Sequence, residues 1–237
     1  MPRDLTRAKV AEIYRRLAQT LPEPKTELSF CNPYTLVVAV ALSAQATDRQ
    51  VNIATATLFA AADTPEAMLA LGEDGVAEHV KTIGLWRNKT KNVILLSRMI
   101  VEEFGGAVPE SRDDLMRLPG VGRKTADVVR NVAFGHPTIA VDTHIFRVAN
   151  RTGMARGKTA DAVSDRLVTV TPPDYAQHAH HWLILHGRYV CKARTPECWR
   201  CAISDLCQYK DKTPAPAAKG KTIKAAKAAK APRRTSA

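Results

Sequence analysis

A group of four cysteines near the C-terminal end limits the fold more than any other feature of this sequence. Cys191, Cys198, Cys201 and Cys207 stand at C-x6-C-x2-C-x5-C spacing. Four thiolates so close would repel one another, so in a reducing compartment the spacing indicates a metal site rather than disulfides. Zinc ribbons usually present two separated C-x2-C pairs, and only one pair here has that spacing. The pattern favours a four-iron cluster, with zinc open and a redox disulfide between Cys198 and Cys201 as a weaker third choice.

Hydrophobic residues recur at helical spacing along almost the whole chain. Val10, Ile13, Tyr14 and Leu17 mark one face of a first amphipathic helix. Residues 36–42 are apolar nearly all round, which is typical of a buried helix. No stretch alternates convincingly as a strand would, and no long-period repeat is present. We therefore predict an all-α protein.

The charge is strongly positive but unevenly placed. The formal net charge is +12, yet residues 212–237 contain eight Lys or Arg and no acid, which leaves +4 for the rest. Residues 211–237 hold almost no large apolar side chain, so we predict a disordered basic tail. We favour a weak, non-specific DNA contact for this tail over a purely solubilising role.

No apolar run approaches the roughly 20 residues that a membrane helix needs. The first residues contain acids at Asp4 and Glu12 and no apolar core of a secretory signal. We therefore expect a cytosolic protein that does not interact with membranes.

The segment Leu-Pro-Gly-Val-Gly-Arg-Lys-Thr-Ala, residues 118–126, lies between two predicted helices. Gly120 and Gly122 permit backbone angles that other residues avoid. A tight glycine turn that leads into a helix directs several N–H groups outward, where they can bind a phosphate. We predict a helix–hairpin–helix at about residues 111–134, with Gly120, Val121, Gly122 and Arg123 as candidate DNA contacts. A purely structural glycine turn is the alternative.

Lys124 lies in the first turn of the second hairpin helix, where the helix dipole disfavours a cation. Its side chain is therefore either a phosphate contact or a nucleophilic amine. The dipole contributes only about 0.3–1 kcal/mol, whereas an ordinary lysine must lose roughly three pKa units to be substantially neutral at pH 7. Desolvation or a nearby base would have to supply most of that shift.

Asp142 follows the apolar residues 139–141 and precedes a predicted helix. An N-cap role would explain it without any chemistry. As a catalytic group it could accept a proton from Lys124 or stabilise an oxocarbenium-like sugar. We interpret His144, and the cluster of His178, His180 and His181, as packing or hydrogen-bonding groups, and we expect Cys31 to be buried.

The loop that begins the cysteine group carries Lys192 and Arg194. Two cations in a loop tied down by a metal are plausible phosphate contacts. A solvated charged loop is the alternative.

Several of these stretches, taken in order, resemble the endonuclease III family of bacterial helix–hairpin–helix DNA glycosylases. The similar segments are residues 42–48, 81–85, 118–126, 137–151 and 181–189 together with the four cysteines. The resemblance covers roughly residues 5–210.

The resemblance implies two helical lobes with a DNA cleft between them. Residues 26–136 would form a six-helix barrel domain, and residues 1–25 with 137–210 a domain that holds a [4Fe-4S] cluster on the four cysteines. It also implies that Lys124 is the nucleophile and Asp142 the catalytic carboxylate. Gln45 would fill the gap left by a flipped base, and Leu85 would be a wedge in the opposite strand. Without the family, Gln45 reads as a helix surface residue and Leu85 as core.

The implied function is a base-excision glycosylase and AP lyase. Its substrate would be double-stranded DNA with oxidised pyrimidines or abasic sites, cut 3′ to the lesion by β-elimination from a lysine Schiff base. We expect a monomer that acts at the bacterial nucleoid. An adenine mismatch glycosylase shares the cysteine spacing but lacks the lysine nucleophile and carries a further C-terminal domain. A non-catalytic DNA-binding module is the other alternative, and it would not need Asp142 beside Lys124.

Overall fold

The computed structural model describes residues 4–216, and in that range it contains ten α-helices, one short 3₁₀ turn and no β-strand. The helices are α1 (Arg7–Thr20), α2 (Pro33–Leu42), α3 (Asp48–Ala61), α4 (Pro65–Val80), α5 (Trp86–Phe104), α6 (Arg112–Arg117), α7 (Arg123–Phe134), α8 (Thr143–Thr152), α9 (Ala160–Val170) and α10 (Pro173–Tyr189). The all-α prediction is confirmed.

Two separate hydrophobic cores divide the helices into two lobes. The first core is built on α2, which is buried on nearly every side because its sequence is apolar all round. Helices α3 to α7 pack around it. In the second core, Ile13 and Tyr14 of α1 pack with Trp182 and Leu183 of α10 and with α8 and α9. The N-terminal helix therefore belongs with the C-terminal half, as the predicted two-lobed fold requires.

Helix α4 departs from the sequence pattern in one respect. The sequence predicts two short helices there, at about residues 65–71 and 75–82, and the structure has a single element, Pro65–Val80, with a non-helical residue inside it. Gly72 has a φ of +72°, which glycine adopts without steric cost. The two predicted halves are therefore both present, joined at a glycine kink.

Polar contacts join the lobes beside the gap between them. Arg188 of α10 forms ion pairs with Asp48, at the start of α3, and with Glu27. The indole Nε1 of Trp182 donates to the carbonyl oxygen of Leu21 at 2.8 Å. These bonds fix α10 against the segment that leads from α1 into the first lobe.

The predicted burial of Cys31 is wrong, and the predicted disordered tail lies mostly outside the described residues. Cys31 is exposed rather than buried, because it lies in the loop before α2, where its N–H donates to the hydroxyl of Thr35. The predicted disordered tail falls largely on residues 217–237, outside the range 4–216. Within that range no helix combines the length and the apolar character needed to cross a bilayer.

Candidate active site

The predicted hairpin is present between α6 and α7. Gly120 has a φ of +82°, and a Cβ placed there would lie 3.0 Å from the side-chain nitrogen of Asn92. Glycine is therefore required both by the backbone angle and by the close approach of Asn92. Gly122 caps α7 without any side-chain hydrogen bond, so the first N–H groups of α7 keep their capacity to bind an anion.

Two of the predicted hairpin contacts turn toward the protein. The side chain of Val121 is buried, and its N–H donates to the carbonyl of Leu118 at 3.0 Å. The guanidinium of Arg123 forms an ion pair with Asp165 and lies 3.5 Å from a carboxylate oxygen of Asp161. The loop would therefore meet a phosphate with the backbone N–H groups at the start of α7 rather than with these side chains.

Lys124 borders a small cavity, the inner cavity, whose lining includes Ser43, Asp48, Lys124, His180, His181 and Arg188. Lys124 is exposed to solvent by surface area, although many protein atoms lie around its amine. This desolvation lowers the pKa of Lys124 below its ordinary value, and the nearby charge of Arg188 lowers it further. The carboxylates of Asp142 and Asp48 oppose the shift by favouring the ammonium form. Burial is the largest of these effects.

Asp142 is the N-cap of α8, as its position in the sequence predicts. Its Oδ1 accepts hydrogen bonds from the N–H of His144 at 2.9 Å and of Ile145 at 2.8 Å. Within residues 4–216 no hydrogen bond engages Oδ2. Capping therefore fixes the half-buried carboxylate in place while leaving one oxygen for other chemistry.

An open cleft of about 1010 Å³ runs beside the inner cavity between the lobes. Residues from both lobes form this interlobe cleft, among them Thr47, Asp48, Asn52, His144, Arg188 and Tyr189. Asp48, Arg188 and Glu27 border both the interlobe cleft and the inner cavity. Lys124 therefore lies close to residues that line the interlobe cleft.

Gln45 and Leu85 share an unusual backbone conformation. In residues 4–216 they are the two non-glycine residues with positive φ, at 55° and 60°. A left-handed conformation costs a non-glycine residue roughly 1–2 kcal/mol, and such strain often marks a functional position. Leu85 is also 59% exposed, which is unfavourable for a leucine without a partner. Both residues therefore project from their loops at an energetic cost.

The four cysteines line one common cavity. Arg151 donates to the sulfur of Cys191 at 3.7 Å, and the N–H of Tyr209 donates to that of Cys207 at 3.5 Å. Burial raises the pKa of Cys201 to about 11. In residues 4–216 no three His, Cys, Asp or Glu side chains converge closely enough to be assigned to one metal ion. The four thiols that the spacing singles out therefore share one cavity, and their side chains do not converge on a single point within it.

In the loop that follows Cys191, Lys192 forms an ion pair with Glu197. Arg194 lies exposed at the surface. Of the two cations predicted as phosphate contacts, Arg194 is the one whose charge faces solvent without a neighbouring carboxylate in the described residues.

Comparison with known proteins matches residues 38–173 to the family of HhH-GPD superfamily base excision DNA repair proteins. The chain is 55% identical over 208 residues to endonuclease III of Escherichia coli, which covers 88% of this chain and 99% of the relative. The chain belongs to the endonuclease III family. Endonuclease III of Haemophilus influenzae is 54% identical over the same shares of the two chains.

A solved structure supports the same assignment. It holds a trapped covalent intermediate of an endonuclease III with DNA, and its protein is 41% identical, with a TM-score of 0.81 over 86% of this chain and 96% of that one. The family match spans the hairpin, Lys124 and Asp142, so the predicted family is confirmed.

Four residues around Lys124 were not picked out as site residues from the sequence. Asp48 and Arg188 lie inside segments that resemble the endonuclease III family. That resemblance is the one feature of the sequence that could have pointed to them. His180 and His181 were interpreted as packing groups, and the structure places both against the inner cavity.

Proposed function

We propose that this endonuclease III family member is a bifunctional DNA glycosylase and AP lyase that removes oxidised pyrimidines from double-stranded DNA. The observation that carries the proposal is the position of Lys124 at the inner cavity, together with Asp48 and Arg188, which also line the interlobe cleft, and with Asp142 held in place by the cap of α8. A related endonuclease III has been trapped as a covalent intermediate with DNA, as expected of an enzyme with a nucleophilic side chain.

In the first step, the neutral amine of Lys124 attacks C1′ of the damaged nucleotide. The bond from C1′ to the base breaks, and its electron pair leaves with the base, which takes up a proton. Asp142 stabilises the positive charge that develops on the sugar and accepts a proton from the attacking nitrogen. Only a carboxylate whose position is already fixed can do this without reorganisation, and the cap on α8 fixes it.

In the second step, the sugar ring opens and leaves a Schiff base between the lysine nitrogen and C1′. Loss of a proton from C2′ then expels the 3′ phosphate, which breaks the bond from C3′ to oxygen and cuts the strand. Water hydrolyses the imine and returns Lys124 as an amine. Abasic sites enter at the Schiff base without the first bond cleavage.

Extrusion of the damaged base requires groups that fill the space it leaves. We assign this role to Gln45, with Leu85 as the wedge in the opposite strand. What supports the assignment is that both residues are exposed and held in left-handed backbone conformations. Inserted side chains offset part of the few kcal/mol that unstacking costs.

Phosphates of the bound duplex would be held at the start of α7 and at the loop after Cys191. The uncapped N–H groups that follow Gly122 supply the first contact. Val121 and Arg123 would contribute through the backbone, and Arg194 with Lys192 would supply the second contact. Such contacts fix the register of the duplex without reading its sequence.

We assign a [4Fe-4S] cluster to the cavity of Cys191, Cys198, Cys201 and Cys207. We also propose the two domains predicted from the sequence, residues 26–136 and residues 1–25 with 137–210. The four thiols fit because they line one cavity, and because N–H donors approach two of their sulfurs, as at iron–sulfur sites. When bound, the cluster supplies a rigid link that orients the loop of Lys192 and Arg194. Zinc is the alternative, and iron analysis with the visible absorption of the purified protein separates the two.

Two alternatives carry less support. An adenine mismatch glycosylase would lack a lysine at position 124. A protein that only binds DNA would have no need of a desolvated amine beside a fixed carboxylate. The relatives reported above are bacterial proteins, which supports action on bacterial DNA in the cytoplasm.

Borohydride trapping on a duplex with a single thymine glycol tests the proposal. The parent should form a covalent adduct with DNA, Lys124→Ala should form none, and the control Lys91→Ala, an exposed lysine on α5, should match the parent. Base release without an adduct would instead indicate a water-using glycosylase with Asp142 as the base. Neither an adduct nor release, on this duplex and on an abasic one, would contradict the proposed activity.

A further inference from the structure

The inner cavity that borders Lys124 also reaches toward a second opening. Its volume of about 40 Å³ accommodates at least one water, which needs roughly 10–15 Å³. An open outer pocket of about 510 Å³ lies next to it, lined by residues that include Pro24, Phe30, Asn131, Gln177, His178 and His181. His181 borders both the inner cavity and the outer pocket. Lys124 thus lies near two openings to solvent. One is the interlobe cleft, and the other is the outer pocket, which His181 connects to the inner cavity.

His180 and His181 line the inner cavity together with Lys124, and His181 also lines the outer pocket. They are 4% and 8% exposed, and their rings meet edge to face with centroids 5.1 Å apart. The Nδ1 atom of each is buried without a hydrogen-bond partner among the described residues. An unsatisfied buried nitrogen costs roughly 1–3 kcal/mol, so two side by side are expensive if these residues serve packing alone. Water in the inner cavity would satisfy them.

Both histidines are neutral near pH 7. Burial lowers the pKa of His180 well below its ordinary value, and burial together with His178 lowers the pKa of His181 to about 4. A neutral imidazole carries one N–H and one free nitrogen, so it can accept a proton at one side and release another from the opposite side. Protons can cross such a residue without a stable charge forming on it.

The other ionisable groups at the inner cavity are Lys25, Glu27, Asp48 and Arg188. Arg188 pairs with both carboxylates, so each of them already accepts from a guanidinium. Lys25 is itself a cation. The two histidines are therefore the neutral acceptors that face Lys124 on this side.

We propose that His180 and His181, with water in the inner cavity, conduct a proton between the amine of Lys124 and solvent in the outer pocket. The proposal rests on the proposed function, because it requires Lys124 to act as the nucleophile. DNA bound in the interlobe cleft covers the other side of the amine, so a route that avoids the cleft lets Lys124 lose its proton in the closed complex.

The proton balance is complete without any further reactant. The ammonium of Lys124 gives one proton, through cavity water, to the free nitrogen of His180. No hydrogen bond joins the two described rings, so His180 releases the proton on its other nitrogen to His181 through a second water, and His181 passes one in the same way to solvent in the outer pocket. Lys124 becomes a neutral amine, and both imidazoles change tautomer. A proton that returns along the route after imine hydrolysis restores both tautomers and the ammonium.

The test measures the rate at which a borohydride-trappable adduct forms in a single turnover, from about pH 6 to about pH 10. The full-length parent is compared with His180→Gln and with the control His79→Gln, a histidine on α4 that hydrogen-bonds Thr57 and lines neither cavity. At neutral pH His180→Gln should be slower by about tenfold or more. The difference in rate between His180→Gln and the parent should shrink as pH rises, because hydroxide then removes the proton from Lys124 directly. A deficit that is constant across pH, or no deficit, would overturn the relay and leave the histidines as structural residues.

A second variant keeps the test decisive if His180→Gln folds poorly. His181→Ala opens the outer pocket toward the inner cavity, and added imidazole should restore its rate while leaving the parent unchanged. No rescue over the concentrations that the parent tolerates would also overturn the relay. DNA affinity and thermal unfolding of each variant identify a general folding defect. If the parent itself forms no adduct, the proposed function is overturned. If the parent forms an adduct and the variants react at the same rate, the relay alone is overturned.

Discussion

At the residue scale the account depends on how easily Lys124 loses its proton. Burial lowers its pKa, and Asp142 and Asp48 partly oppose that shift. The amine therefore becomes neutral at a lower pH than an ordinary lysine. Adduct formation should accordingly rise with pH through this lowered pKa and then level off, since the neutral form is the reactive one.

Asp142→Asn separates the charge of this residue from its structural role. Asparagine keeps the helix cap, but the carboxylate charge that raises the pKa of Lys124 is lost. The maximal rate should fall by about 10²-fold or more, while the rising limb of the pH profile moves to lower pH. A limb that stays in place or moves to higher pH would contradict the assigned electrostatics.

Leu85 allows strain and function to be measured separately. Leu85→Ala and Leu85→Gly both remove the wedge, so both should lower excision without abolishing trapping on an abasic duplex. Glycine adopts the left-handed conformation freely, whereas alanine retains the strain, so Leu85→Gly should be the more stable by about 1 kcal/mol in urea unfolding. Equal stability of the two variants would mean that the backbone at Leu85 is not strained.

At the element scale the helix–hairpin–helix and the cap of α8 could both be predicted, because each is encoded within a few neighbouring residues. Gly120 and Gly122 determine the turn locally, and Asp142 stands directly before the helix that it caps. Leu85 and Cys31 could not be placed, since their exposure depends on how distant helices pack. From apolar neighbours alone both read as buried, and both are exposed.

The two hairpin glycines should respond differently to the same substitution. Gly120→Ala places a methyl group at a φ of +82° and against Asn92, so it should destabilise the protein by about 1–3 kcal/mol. At Gly122 a Cβ meets no atom within 4 Å, so Gly122→Ala should keep its stability and weaken DNA binding by crowding the phosphate. Thermal unfolding and duplex affinity measure the two effects. Gly122→Ala with unchanged affinity would argue against a phosphate at this turn.

At the scale of the whole molecule, two hydrophobic cores form two lobes, and the proposed active site lies where they meet. The division follows from the sequence only through the family resemblance, because periodicity shows helices and not which of them share a core. The contribution of His180 and His181 is invisible for the same reason. Their place beside Lys124 exists only once α10 has packed against the first lobe.

The ion pair of Asp48 with Arg188 connects the lobes at this boundary. Both side chains are largely buried, so Asp48→Asn should leave Arg188 poorly compensated and lower the free energy of unfolding by about 1–3 kcal/mol. Glu102→Gln, an exposed acid on α5, should change it by no more than about 0.5 kcal/mol. Urea unfolding of the two variants and the parent provides the comparison. An Asp48 variant as stable as the control would show that this pair does not hold the lobes together.

The identity of the residue that bonds to DNA decides whether Lys124 is the nucleophile. The borohydride-trapped adduct would be digested with nuclease and protease, and the modified peptide sequenced by mass spectrometry. The account predicts a reduced sugar remnant on the side chain of Lys124 and on no other residue. A remnant on any other amine, with Lys124 recovered unmodified, would contradict it.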